Sequence, residues 1–307
     1  QLPLNNLGAI ALDYRGIRGM AVAVGHAPAA GLIDPEAGSV LSIAEALTNI
    51  IWAPLADGLK SVSLSANWAW PCKNKGEDAR LYKAVKAAGK FACDLGINIP
   101  TGKDSLSMTQ KYPDQTVLSP GTVVISAAAE VSNIRKIVEP VMVNDPYTSL
   151  IYIDMSRDRL KTGGSCFSQV LNRIGDEAPV VTDPAYFAEV FNTIQELINK
   201  GKILAGHDIS AGGMITTLLE MCFSNTEGGA VINLSALNES DTVRMLFSQN
   251  PGIIIQVKDV NEIAEILLER GVSYLAIGHP VTDRTLKITV NNEAYSFDID
   301  QMRDIWF

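Results

Sequence analysis

Glu45 and Asn49 stand four residues apart in an apolar run, Ile43-Ala44-Glu45-Ala46-Leu47-Thr48-Asn49-Ile50-Ile51, so on a helix both project from one face. A carboxylate and an amide at that spacing offer hard oxygen donors, the kind Mg²⁺ takes together with phosphate oxygens. The plainer reading is a solvent-facing glutamate flanked by an asparagine, because charges rarely enter a core unpaired. A second stretch, Ala205-Gly206-His207-Asp208-Ile209-Ser210-Ala211-Gly212-Gly213-Met214, joins a strand-like run to a helix-like one. Adjacent glycines at a helix start let a ligand approach the backbone, and free N–H groups there favour phosphate. Asp208 is placed for a metal and Ser210 for a hydroxyl or phosphate contact, although either residue also serves as an ordinary helix cap.

The third candidate is Pro100-Thr101-Gly102-Lys103-Asp104-Ser105-Leu106-Ser107-Met108. A P-loop needs a glycine five residues before its second glycine and Ser or Thr straight after the lysine; here Ile97 and Asp104 hold those places. The motif is rejected, yet Gly, Lys and two serines in one polar turn still suit a phosphate, as they suit an ordinary turn. Thr162-Gly163-Gly164-Ser165 is a weaker version of the same idea. No GxGxxG follows a strand, so a Rossmann dinucleotide site has no support. His26, His207 and His279 sit in unrelated contexts and suggest no catalytic triad. Cys72, in Trp70-Pro71-Cys72-Lys73, reads as the most exposed thiol, with a lysine beside it that would lower its pKa.

These residues need a scaffold, and the composition supplies one. The 307 residues amount to about two domains at ~100 to 200 residues each, and 47% hydrophobic residues exclude disorder, collagen and coiled coil. Twenty-five basic against 34 acidic residues give a net charge of −9 with no block of like charge, which argues against a nucleic-acid partner. No apolar run reaches the ~20 residues of a membrane span, and Gln1-Leu2-Pro3-Leu4 does not resemble a signal peptide. The four cysteines lack CxxC or zinc-ligand spacing and read as reduced cytoplasmic thiols. A start without Met and a stop inside Asp304-Ile305-Trp306-Phe307 suggest a segment of something longer.

Strand patterns at 7–12 and 20–24, a helix carrying Val40, Ile43, Leu47 and Ile50, a strand at 61–66, and a helix over 77–95 with Leu81, Val85, Ala88 and Ala92 on one face make up most of the first half. The Val/Ile/Ala run 122–131 predicts a strand in a buried sheet. Val143-Asn144-Asp145-Pro146 is turn-rich, so the boundary is placed there, giving domains 1–145 and 146–307. The second half reads as a strand at 149–153, a Gly-rich turn with a helix to about Ile174, a helix at 184–199, a strand at 202–206, a helix at 212–223, strands at 229–234 and 252–257, a helix at 260–270, and strands near 273–278 and 286–291. Mixed strands and ~10 to 18-residue helices imply α/β or α+β layers.

Five segments, Ala44-Glu45-Ala46-Leu47-Thr48-Asn49, Leu64-Ser65-Ala66-Asn67-Trp68, Gly76-Glu77-Asp78-Ala79-Arg80-Leu81, Gly102 to Met108 and His207 to Gly213, resemble in order and spacing those of the large phosphoribosylformylglycinamidine synthases (FGAR amidotransferases). The resemblance spans essentially the whole chain and is closest to the second of their two synthetase halves. It implies an aminoimidazole ribonucleotide synthetase-like N-terminal sheet domain followed by a C-terminal α/β domain. It further implies an auxiliary ADP with Mg²⁺, structural in role, with Glu45, Asn49, Asp208 and Asn6 as metal ligands and Asn5 and Ser210 touching the nucleotide. Asn6 stands where the family usually has an aspartate, so the site carries one negative charge fewer. Lys103 and Ser105, with Asn67 and Gly102, would face the catalytic ATP and substrate phosphate across a pseudo-twofold axis. The activity implied is ATP-dependent conversion of FGAR and glutamine-derived ammonia to FGAM in purine biosynthesis. The first synthetase half and the glutaminase of the same long chain would be its partners, and the piece alone would be inactive and able to self-pair as a homodimer. The alternatives are a purely structural nucleotide-binding module and a free-standing ATP-dependent ligase or kinase of the superfamily.

Overall fold

The computed structural model describes residues 2–306; the expectations that rest on Gln1 and Phe307 lie outside them. The first half runs β1 (Leu7–Ala11), β2 (Gly19–His26), α1 (Pro28–Ile33), α2 (Pro35–Ile50), β3 (Ser63–Ala69), α3 (Glu77–Leu95), β4 (Asn98–Ser105), β5 (Thr109–Lys111), β6 (Thr116–Leu118) and β7 (Thr122–Val131). The second runs β8 (Ser149–Asp154), α4 (Cys166–Val170), α5 (Pro184–Asn199), β9 (Ile203–Asp208), α6 (Gly213–Phe223), β10 (Gly229–Asn233), α7 (Thr242–Phe247), β11 (Gly252–Val257), α8 (Val260–Glu269), β12 (Leu275–Val281), β13 (Thr285–Val290), β14 (Glu293–Asp298) and α9 (Ile299–Trp306).

The first sheet has the order β1-β2-β7-β3-β4, with β3 and β4 parallel and the other pairs antiparallel. Helices α2 and α3 cover one face only. The other face is open, and Met20, Val22 and Val24 on β2 stand on it beside Ile10 of β1. The run 122–131 is therefore not buried on both sides: it alternates, burying Val123, Ile125, Ala127, Ala129 and Val131. The second sheet, β14-β13-β10-β12-β8-β11-β9, is sandwiched. Ile151 and Ile153 of β8 join the core under α5, whereas Leu150 and Tyr152 face the core under α6.

Local chemistry sets the main helices. Asp34 caps α2 by accepting from the Glu36 N–H at 2.9 Å, with Pro35 at the first helical position; Asp183 and Pro184 repeat the arrangement on α5. α3 ends at Gly96, whose φ of +70° suits glycine. Of the face expected to be apolar, Ala88 and Ala92 are buried and Leu81 packs against the core, but Val85 is exposed; Ala84, Phe91 and Leu95 complete the buried side, where the Phe91 ring meets Phe187 of α5 edge-on at 5.9 Å. The helix expected to reach Ile174 stops at Val170, where Asn172 takes a φ of +54°.

One core cluster runs through both halves, from Ile43 and Leu47 of α2 to Phe187 and Ile194 of α5. Gln195 fastens the junction: its Oε1 accepts from the Leu55 N–H at 2.8 Å, and its Nε2 donates to the Ile51 and Ala53 carbonyls at 2.6 and 3.0 Å. The buried carbonyls that follow α2, which have no partner within the helix, are thus satisfied by the other domain.

Candidate functional site

Helix α2 lies directly on β2. A Cβ on Gly25 would come within 2.2 Å of the Ser42 carbonyl oxygen and 2.3 Å of the Ala46 nitrogen, so only glycine allows this approach. The approach fixes two polar side chains. Glu45 Oε2 accepts from the His26 N–H at 2.8 Å, and Asn49 Nδ2 donates to the Val24 carbonyl at 2.8 Å. Asn49 is buried, and its Oδ1 has no hydrogen-bond partner. A buried amide oxygen left unpaired costs about 1 to 3 kcal/mol, which a bound cation or donor would recover.

Asp208 ends β9, the edge strand of the second sheet, and is buried. His207 supports it: Nδ1 lies 3.3 Å from Asp208 Oδ1 and Nε2 lies 3.1 Å from Glu220 Oε2. Burial opposes charging the imidazole, but the two flanking carboxylates outweigh it and raise its pKa. Asn6 reaches the same place because Leu2 and Leu4 pack on the second core, and its Nδ2 donates to both Asp208 oxygens at 3.1 and 3.0 Å. Burial, opposed by the His26 N–H and reinforced by the charge of Asp208, pushes the Glu45 carboxyl up to about 7. Asn6 and Asp208 are thus joined, and Asp208 lies near enough to act on Glu45, while Asn49 stands one turn along α2 from Glu45.

Beside this cluster a cavity of about 270 Å³ opens between the halves, with Glu45, Thr48, Gly163, Gly164, Ser165 and Ser210 among its lining. Its remaining walls are largely apolar, from Ala27 to Ala30, Leu41, Pro179, Ile209 and Pro251. Ser210 lines it as expected of a ligand contact, but Gly212 and Gly213 do not. They take φ of +91° and +75°; a Cβ on Gly212 would meet the Thr216 side chain of α6 and one on Gly213 the Phe247 backbone of α7 at 2.7 Å, so these glycines serve the turn and close packing rather than an open ligand path. The Thr162–Ser165 turn, the weaker signal in the sequence, contributes Gly163, Gly164 and Ser165 to the wall, as many residues as Ile209, Ser210 and Ala211 supply after β9.

The other candidates lie elsewhere. Gly102, Lys103 and Ser105 belong to an edge strand, β4, not a turn, because this segment pairs in parallel with β3; Asn67 stands opposite Lys103 in that register. Lys103 Nζ donates to Ser105 Oγ at 3.0 Å on the exposed strand. Neither these residues nor Asn5 line the cavity. Cys72 is half-buried, and Cys93 is the exposed thiol; partial burial, then Asp78, Glu77 and Asp104, raise the Cys72 pKa instead of lowering it. The polar side chains of the lining with no expected role in a site are His26, Thr48, Gln169 and Gln249. The His26 backbone N–H, which holds Glu45, carries no side-chain signal.

Among the described residues no cluster of three or more His, Cys, Asp or Glu side chains is arranged to hold a metal. The set here is two carboxylates and two amides. Its oxygen donors and the unpaired Asn49 Oδ1 fit Mg²⁺, which would be held by Glu45, Asn49 and Asp208 and would supply positive charge facing phosphate oxygens. Asn6 turns its donor side to Asp208, so it competes with a cation for that carboxylate. Asn6→Asp is expected to lower the ligand-free melting temperature by roughly 3 °C or more, through two lost bonds and carboxylate repulsion. Millimolar Mg²⁺ should restore it by a larger shift than in the unaltered protein. An equal Mg²⁺ response in both would show that position 6 does not bear on the metal.

Residues 1–130 match the FGAR-AT PurM_N-like domain and residues 150–291 match the C-terminal domain of AIR synthase related proteins. The chain is 36% identical to a probable phosphoribosylformylglycinamidine synthase of Caenorhabditis elegans, over 94% of this chain and 23% of that one. It is also 36% identical to a probable chloroplastic/mitochondrial phosphoribosylformylglycinamidine synthase of Arabidopsis thaliana, over 100% and 22%. The chain belongs to the phosphoribosylformylglycinamidine synthase family. It spans less than a quarter of the length of these curated relatives. The fold matches that of T. maritima PurL complexed with FGAR, with a TM-score of 0.77 at 14% identity over 98% of this chain and 48% of that one. It also matches hydrogenase maturation protein HypE in complex with ATP, with a TM-score of 0.63 at 15% identity over 95% and 87%. The layered α/β architecture is thus that of an aminoimidazole ribonucleotide synthetase-like N-terminal domain followed by its C-terminal partner.

Proposed function

We propose that this chain is the second synthetase half of a phosphoribosylformylglycinamidine synthase, divided at 145/146, and that the cavity between its domains holds an ADP or ATP with Mg²⁺. The observation that carries the reading is the cavity wall itself: Glu45 and Ser210 line it, and Asn49, one turn along α2 from Glu45, keeps a buried oxygen without a partner. Structures of T. maritima PurL complexed with ATP and with ADP share the fold and support a nucleotide as occupant. In the complete protein the reaction is transfer of the ATP γ-phosphoryl to the FGAR amide oxygen, then displacement of phosphate by ammonia released from glutamine. Preorganised positive charge stabilises the transferring group.

Lys103 and Ser105, with Asn67 on the same sheet, would face that chemistry from the open side of the first sheet. The first synthetase half would cover this side, meeting Met20, Val22 and Val24; a chain without it would self-pair there. No described helix is long and apolar enough to cross a membrane, and the free cysteines suit a reducing compartment such as the cytoplasm. ATP- and FGAR-dependent turnover with ammonia is expected from the complete protein and not from this chain alone. Lys103→Ala in the complete protein should cut turnover by about tenfold or more. Turnover by the chain alone would instead make it a free-standing ligase, and an unchanged Lys103→Ala rate would leave it a structural nucleotide-binding module.

A further inference from the structure

The Gly163-Gly164 wall of the cavity is held by two consecutive side chains from a distant segment. Gln249 Oε1 accepts from the Cys166 N–H at 2.5 Å, and Asn250 Oδ1 accepts from the Lys161 N–H at 3.1 Å. The two bonds bracket the glycine turn at both of its ends. Asn250 is 1% exposed, and its Nδ2 donates to Ser156 Oγ at 3.2 Å and to the Arg159 carbonyl at 3.0 Å, so it is anchored on the chain leading into the turn. The segment is tied in turn to the second sheet, through the Met155 N–H to the Pro251 carbonyl and through β11, which starts at Gly252. Within the bracket the turn closes on itself: Ser165 Oγ and Ser168 Oγ both donate to the Thr162 carbonyl, at 2.5 and 2.7 Å.

This arrangement removes freedom where freedom would be costly. A Gly-Gly turn is the most mobile kind of backbone, and a wall that must meet a ligand binds better when ordered beforehand. Gln249 also lines the cavity, so the residue that holds the turn stands beside whatever enters. We propose that Gln249 and Asn250 are positioning residues for the ligand cavity, setting the shape of the Thr162–Ser165 wall before a ligand arrives. The ligand's identity rests on the nucleotide reading above; the bracket itself does not.

Hydrogen exchange of the peptide over 161–171 in the complete protein, with and without ADP and Mg²⁺, separates the two. Without ligand, Gln249→Met, which keeps the size and loses the acceptor, should raise exchange of this peptide about tenfold. Gln249→Glu, which keeps an acceptor for the Cys166 N–H, should restore it. ADP should protect the peptide in the unaltered protein and in Gln249→Glu, and less in Gln249→Met. Exchange in ligand-free Gln249→Met equal to that of the unaltered protein would overturn the bracket. Absence of ADP protection in the unaltered protein would instead overturn the nucleotide reading, while the ligand-free comparison would still decide the bracket.

Discussion

Replacing Gln195 by leucine is expected to lower the unfolding free energy by roughly 3–5 kcal/mol, because three buried backbone groups lose their partner at once. Leucine fills the same space and no water reaches the site, since Gln195, Ile51 and Ala53 are all buried. The Leu55 N–H and the Ile51 and Ala53 carbonyls would each carry a desolvation penalty of about 1–3 kcal/mol, reduced by local relaxation. The consequence extends beyond stability. Ile51 immediately follows α2, the helix that carries Glu45 and Asn49, so loosening this end frees the helix to shift against β9 and Asp208. Urea unfolding followed by circular dichroism measures the effect; a loss under 1 kcal/mol would show that α2 is held by apolar packing alone.

Removing the charge of Glu45 is the second large effect. Glu45→Gln should weaken Mg²⁺-dependent ADP binding by one to two orders of magnitude, about 1.4 to 2.7 kcal/mol. The glutamine still accepts from the His26 N–H, so the geometry survives and the loss is electrostatic. The same substitution changes the pH dependence in a defined direction. The native carboxyl titrates at about 7, above its ordinary value, so the folded protein holds a proton that the unfolded chain has released. Ligand-free stability therefore falls as pH rises from about 4.5 through 7, and then levels off. Glu45→Gln should flatten that decline, and Mg²⁺, which binds the carboxylate, should do the same by releasing the proton. A pH profile unchanged by the substitution would remove Glu45 from the account.

How far the sequence foretold these features depends on how local each one is. The i, i+4 spacing of Glu45 and Asn49 put them on one helical face, and Asp208 followed from its place between a strand and a Gly-Gly helix start. Both readings needed only near neighbours. The role of Asn6 as a donor to Asp208 depends on a contact 202 residues away, which no pattern encodes. Gly102 to Ser105 looked like a turn because Gly, Lys, Asp and Ser are poor strand formers; pairing with β3 overrides that propensity. On α3 the expected face holds at Leu81, Ala88 and Ala92 but not at Val85, and Phe91 is buried beside it against Phe187, which lies in the other domain. Gln195 and Gln249 gave no signal, since one side chain satisfying distant backbone groups has no periodicity.

The cavity between the two domains is expected to bind a nucleotide whose phosphates face a cation held by Glu45, Asn49 and Asp208. A crystal structure with ADP and Mn²⁺ in place of Mg²⁺ tests it most directly, because Mn²⁺ is located by its anomalous scattering. A Mn²⁺ peak is expected at the Asn49 Oδ1, shared with the Glu45 and Asp208 carboxylates, with ADP against Ser210 and the Gly163-Gly164 wall. An anomalous map with no peak among these three residues, or ADP bound away from this cavity, would contradict it.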